Sequence, residues 1–297
     1  MDRYDFIITV YCLVCEHYRV IRSAHPVRRG GFAPALTDEE VMTIEICGEY
    51  FKLSTDKDMF NYFRAHYQAL FPRLTDRTLF VRQAANLWQV KAAIQRRLTV
   101  VSGQADDPVQ VIDTLPLPVC TYIRSGRDRC FKPDADYGHC AAKDLKYYGF
   151  KLGLRIARSG MITHFPLLPA RPHDIQLLDD LVDGFAGLVP ADKGFIDAFR
   201  QARLAERQGV IVITSPRKGM TTPHSPRLLK ACARIRKCIE TVGSHLTEHF
   251  AIARTRAHDL WHFQHRLIRK VLAHTVGVFL NLQLGRPPLD LDGLVAA

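Results

Sequence analysis

Val109-Gln110-Val111-Ile112-Asp113 is a short apolar run, rich in β-branched residues, that stops on an acid. Gly187-Leu188-Val189-Pro190-Ala191-Asp192 stops the same way, and Val210–Thr214 is a third run of this kind. Short apolar runs with β-branched residues and no helical period read as buried strands. An aspartate at such a point is a common turn or cap residue, but in sheet-based folds ligands also collect at strand ends. Around these runs, 150–157 and 161–168 read as two strands about the turn Arg158-Ser159-Gly160. Residues 174–185 and 196–208 read as helices, the second ended by Gly209. The order implies an α/β core, a mixed sheet with helices packed on it.

The chain in front of this core is helical. Thr37-Asp38-Glu39-Glu40 is a capping box, with Leu36 and Val41 placed as a hydrophobic staple. It predicts a helix over 38–51. A second helix follows Ser54-Thr55-Asp56, with Phe60, Phe63, Tyr67 and Leu70 at helical spacing. A third begins near Thr75-Asp76 and carries Leu79, Leu87, Val90, Ile94 and Leu98. Helices joined by a tight turn resemble a helix-turn-helix. Arg77 and Arg82 stand in the first turns of the last helix, where such a motif contacts base edges; a plain helical bundle is the alternative. The linker 102–108 divides the chain into a helical domain, 1–107, and a mixed α/β domain with C-terminal helices, 108–297.

Behind the core, residues 214–226 read as a basic loop with Arg217 and Lys218. A long helix follows whose stripe is Leu228, Cys232, Ile235, Ile239, Val242, Leu246 and Phe250. Glu240 lies beside that stripe, one turn after Arg236 and Lys237. A last helix is expected over 258–284. The net charge of +11 is uneven: residues 209–297 hold 13 Lys/Arg against 5 Asp/Glu, whereas the first 107 hold 14 against 13. A basic field of this kind favours a polyanion.

Three carboxylates, Asp113, Asp192 and Glu240, suit phosphodiester chemistry. Two divalent ions about 4 Å apart serve both ends of an in-line displacement. Mg²⁺ takes hard oxygen ligands and few of them from protein. Neighbouring cations would hold the DNA backbone.

The ordered segments VIDTLPLPVC (111–120), KYYGFKLGLRIARSGMI (146–162), ADKGFID (191–197) and RIRKCIETVGSHLTEHFAIARTRA (234–257) resemble bacterial insertion-sequence transposases of the DDE class, most closely insertion-sequence family 982. The resemblance implies an RNase H-like core with the acid triad on two strands and a helix. Asp113, Asp192 and Glu240 are then the catalytic and metal-ligating residues, holding two Mg²⁺ or Mn²⁺ ions. It implies cleavage and strand transfer, element ends and target DNA as partners, and a homo-oligomer on DNA. Many relatives flank the Glu with Tyr, Arg and Lys. Arg236 fills the Arg place, but Ala233 and Thr247 stand at the others, and Arg254 and Arg256 are the candidate substitutes. The expected DNA contacts are therefore Arg77, Arg82, Arg217, Lys218, Arg236, Lys237, Arg254 and Arg256. A nuclease without strand transfer, or a DNA-binding regulator that has lost catalysis, are the alternatives.

The cysteines add little. Cys12 and Cys15 have metal-ligand spacing but no second close pair, and reduced thiols of a cytoplasmic protein account for the rest. No signal peptide is legible, and the apolar stretch 271–284 is too short to span a bilayer.

Overall fold

The computed structural model describes residues 1–24, 27, 28, 30, 33–140 and 144–296. They form two compact units, Met1–Val101 with His245–Ala297, and Ser102–Ser244.

The first unit is helical. Its elements are α1 (Arg3–Ala24), α2 (Asp38–Tyr50), α3 (Asp56–His66), α4 (Arg77–Asn86) and α5 (Trp88–Val101), and the last helix of the chain, α9 (Leu260–Gln283), completes it. The capping box forms: Thr37 Oγ1 accepts from the Glu40 N–H at 3.2 Å, and the Glu40 carboxylate accepts from the Thr37 N–H at 2.7 Å. The single helix expected after Thr75 is two, broken at Leu87, which caps α4 with its N–H on Gln83 and Ala84 carbonyls.

The domain boundary expected at 107/108 differs from the observed division, because α9 packs with the N-terminal helices. Buried charge accounts for it. Arg269 donates to Glu49 at 2.6 Å and to Asp56 at 2.5 Å, and Lys270 donates to Glu49 at 2.8 Å. Lys91 on α5 donates to Glu45 at 2.7 Å. Ions are tolerated inside only when paired, so the acids of α2 and α3 need the bases of α9.

The second unit is mixed α/β. Strand β1 (Gln110–Thr121) pairs antiparallel with β3 (Leu145–Ala157), and β3 with β2 (Asp136–Cys140) and the short β4 (Ile162–His164) and β5 (Leu167–Pro169). β6 (Gly187–Ala191) and β7 (Val210–Thr214) are parallel, and the parallel bridge Val109↔Leu188 sets β6 beside β1. Helices α6 (Leu178–Leu181), α7 (Ala198–Gln208) and α8 (Pro226–Ser244) complete the unit. Ile112, Leu178, Leu181, Val189, Leu204 and Val212 meet in its core.

Three expectations are corrected. β1 does not end at Asp113 but continues to Thr121. The strand expected over 161–168 is split at Phe165-Pro166, where proline has no N–H for the ladder. The helix expected over 174–185 is a 3-10 turn, Asp174–Leu177, and the one-turn α6.

Candidate active site

Parallel register brings two of the expected acids together. Val109 pairs with Leu188, so four residues on along both strands Asp113 of β1 comes level with Asp192, the residue that follows β6. Side chains at matched positions of neighbouring parallel strands point to the same face. Arg236 of α8 closes the group, with Nη2 3.4 Å from Asp192 Oδ1.

The electrostatics agree with the register. Burial pushes the Asp113 carboxyl up to about 6, and the nearby Asp192 and Asp174 carboxylates add to the rise. The Thr114 N–H, donating to Asp113 Oδ1 at 2.8 Å, and the Arg236 guanidinium act the other way. The site is thus a carboxylate group with one guanidinium among it, half-buried at Asp113 and open at Asp192.

Asp174 is a residue the sequence reading passed over as a helix start. It accepts from Lys151 Nζ at 2.9 Å and from Thr114 Oγ1 at 3.1 Å. Its partner Thr114 is the residue next to Asp113, so a contact 60 residues away in sequence carries the association, and no local pattern announces it.

Glu240 stands on α8, one turn beyond Arg236, and is exposed. Among the described residues it has no ion-pair partner, and Asp113, Asp192 and Glu240 do not all lie within 4.8 Å of one another. Arg217 and Lys218 are exposed, and Arg217 donates to the carbonyl of Lys193, the residue after Asp192, at 3.1 Å. Lys237 is exposed on α8. Arg254, Arg256, Arg77 and Arg82 are exposed too, but they belong to the helical unit.

A trio with metal-ligand spacing does occur in the helical unit, where Glu45, Asp56 and His265 are buried within 4.8 Å of one another. Its carboxylates are already held by Lys91 and Arg269. An added dication would have to displace these ammonium and guanidinium groups, so the trio is an internal ion network.

A family model described as a transposase DDE domain matches residues 103–260, just over half of the chain. The chain belongs to the transposase DDE domain family. The matched segment contains Asp113, Asp174, Asp192, Arg236 and Glu240. No curated protein and no solved structure matches the chain. Among the described residues no helix is long and apolar enough to cross a membrane.

Proposed function

We propose that this transposase cuts and joins DNA strands at the Asp113–Asp192 edge of an RNase H-like core, with Glu240 as the third acid. The observation that carries the reading is the Val109↔Leu188 bridge, which sets Asp113 level with Asp192 just past the end of β6, with Arg236 on Asp192. The insertion-sequence family 982 resemblance supports Glu240, which follows Arg236 by one helical turn.

The donor set suits hard divalent ions such as Mg²⁺ or Mn²⁺. All its ligands are carboxylate oxygens. Burial, with a smaller part from the Asp192 and Asp174 carboxylates, holds Asp113 up to about 6, and a bound cation would favour its ionised form. When bound, two such ions activate water and stabilise the leaving oxygen of an in-line displacement. Asp113 and Asp192 would hold them from the sheet and Glu240 from α8.

The chain's own residues supply the rest. Arg236 limits repulsion between the carboxylates and offers a cation to the phosphate. Lys151 and Thr114 fix Asp174. Arg217, Lys218 and Lys237 would contact the DNA backbone from this unit, and Arg77, Arg82, Arg254 and Arg256 would be the DNA contacts of the helical unit. Joining two element ends to a target calls for a homo-oligomer on DNA.

Asp174 gives a second reading of the third acid, since its carboxylate, after that of Asp192, adds to the rise of the Asp113 carboxyl. The decisive test is nicking of DNA that carries the element's ends, with Mg²⁺, by D113N, D192N and E240Q. Each should lose cleavage and keep DNA affinity. Cleavage near the unmodified rate in D113N or D192N would sink the proposal.

A further inference from the structure

The helical unit holds a cavity of about 540 Å³ that the catalytic reading does not use. It is lined from three helices distant in sequence: Lys57 of α3, Arg77, Thr78 and Arg82 of α4, and Trp261 and Arg266 of α9. Four cations line it against one carboxylate, Asp56. Arg266 is satisfied by Asp56, to which it donates at 2.8 Å. Lys57, Arg77 and Arg82 are exposed and have no carboxylate partner among the described residues.

Trp261 is the second feature. It is one of two tryptophans in the chain, and it is 46% exposed. Trp88 braces it at an interplanar angle of 82° and a centroid distance of 5.7 Å. A large aromatic ring left this open, among unpaired cations, has an apolar face to offer. Trp261 and Arg82 also line a neighbouring cavity of about 560 Å³. The ring therefore borders both cavities.

The shape decides between two kinds of DNA contact. A recognition helix reads duplex DNA by protruding into the major groove. Here the first turns of α4 instead line an open concavity, of a size that admits one small ligand. An aromatic ring with cations beside it is the arrangement that holds unpaired bases by stacking and their phosphates by charge.

We propose that this cavity binds one unpaired nucleotide of a DNA strand, with the base on Trp261 and the phosphates on Lys57, Arg77 and Arg82. The inference rests on the reading of the chain as an enzyme acting on DNA. It adds a place where a strand is held unpaired, on residues outside the carboxylate site.

The test uses the full chain and an oligothymidylate of about eight nucleotides, within the usual range of single-strand site sizes. Binding should quench the Trp261 fluorescence of a W88F variant. W261A should weaken oligothymidylate binding about tenfold, as loss of one stacked base does, and leave duplex affinity unchanged. W261L, which keeps apolar bulk without the aromatic face, should behave like W261A, and W261F should recover most of the affinity. Thymidine monophosphate should bind far more weakly than the oligonucleotide. Full affinity in W261L, or an equal loss on duplex, would overturn the nucleotide site while leaving the DNA reading intact. Equal binding of the free nucleotide would overturn the strand assignment. A chain that binds neither single-stranded nor duplex DNA would instead defeat the DNA reading itself.

Discussion

Arg236 Nη2 lies 3.4 Å from Asp192 Oδ1 and ties helix α8 to the end of strand β6. The same guanidinium pulls down the Asp113 carboxyl, which burial has pushed up to about 6. A carboxyl must be ionised to hold a divalent ion, so Mg²⁺-dependent nicking should rise with pH, with its acid limb at about 6 or below because bound Mg²⁺ competes with the proton. In R236Q the carboxyl loses that counter-charge and its ionisation moves to higher pH. The acid limb of the nicking profile should move with it, while R236K should keep most of the original position. An unmoved limb in R236Q would show that Asp113 does not set it.

Glu240 and Asp174 make rival claims to be the third acid, and paired variants separate them. E240Q should abolish nicking without changing DNA affinity. D174N should cost about 10–100-fold, the usual price of a supporting partner behind the ligands, because Asp174 holds Lys151 and Thr114 rather than standing free. The opposite ranking, with D174N inactive and E240Q near normal, would transfer the role to Asp174.

Some of this was readable in the chain. The runs ending at Asp113 and Asp192 identify two strands, and the pattern at Thr37 fixes the start of α2, because each is a local signal of period or capping. What escaped depends on distant partners. Asp174 reads as a helix start because its link to Thr114 spans 60 positions. The place of α9 escaped because Arg269 meets Glu49 across 220 positions. The continuation of β1 past Asp113 escaped because Pro116 and Pro118 argue against a strand. The ladder with β3 nevertheless runs through Pro116↔Lys151 and Pro118↔Gly149, then shifts register before Cys120.

The loop after β7 offers a charge test. Arg217 and Lys218 are exposed, and Arg217 is anchored to the carbonyl of Lys193 beside Asp192. If both touch phosphates, replacing them with glutamine should flatten the log–log salt slope of duplex binding by about 1.8. Sequence preference should change little, since phosphate contacts carry none. An unchanged slope would leave the loop as solvated surface.

The buried ions of the helical unit predict a large stability loss from one side chain. Arg269 is 1% exposed and bonded to Glu49 and Asp56. R269M removes the cation that Glu49 and Asp56 share and leaves them to Lys270 and Arg266 alone, and should cost up to about 3–5 kcal/mol, the range for breaking a buried pair. Urea unfolding followed by circular dichroism measures it, and a loss under about 1 kcal/mol would mean that Lys270 and Arg266, or entering water, compensate the acids once the arginine is gone.

Acid should unfold the helical unit through its histidines. His274 is fully buried, and neither of its ring nitrogens has a hydrogen-bond partner among the described residues. Burial pulls its pKa down to about 3, helped by His245 and His249, and Lys52 and Asp292 also act on those two rings. The unfolded chain therefore binds this proton more readily than the folded one. Stability is complete above the unfolded value near 6.5 and falls as the pH drops toward about 3. One such proton contributes a slope of about 1.4 kcal/mol per pH unit within that window. H274L removes the proton site and keeps an apolar side chain in place. Between pH 6 and pH 4 its unfolding free energy should fall less steeply than that of the unmodified protein, by about that slope. Identical slopes in the two proteins would mean that His274 does not drive the acid transition.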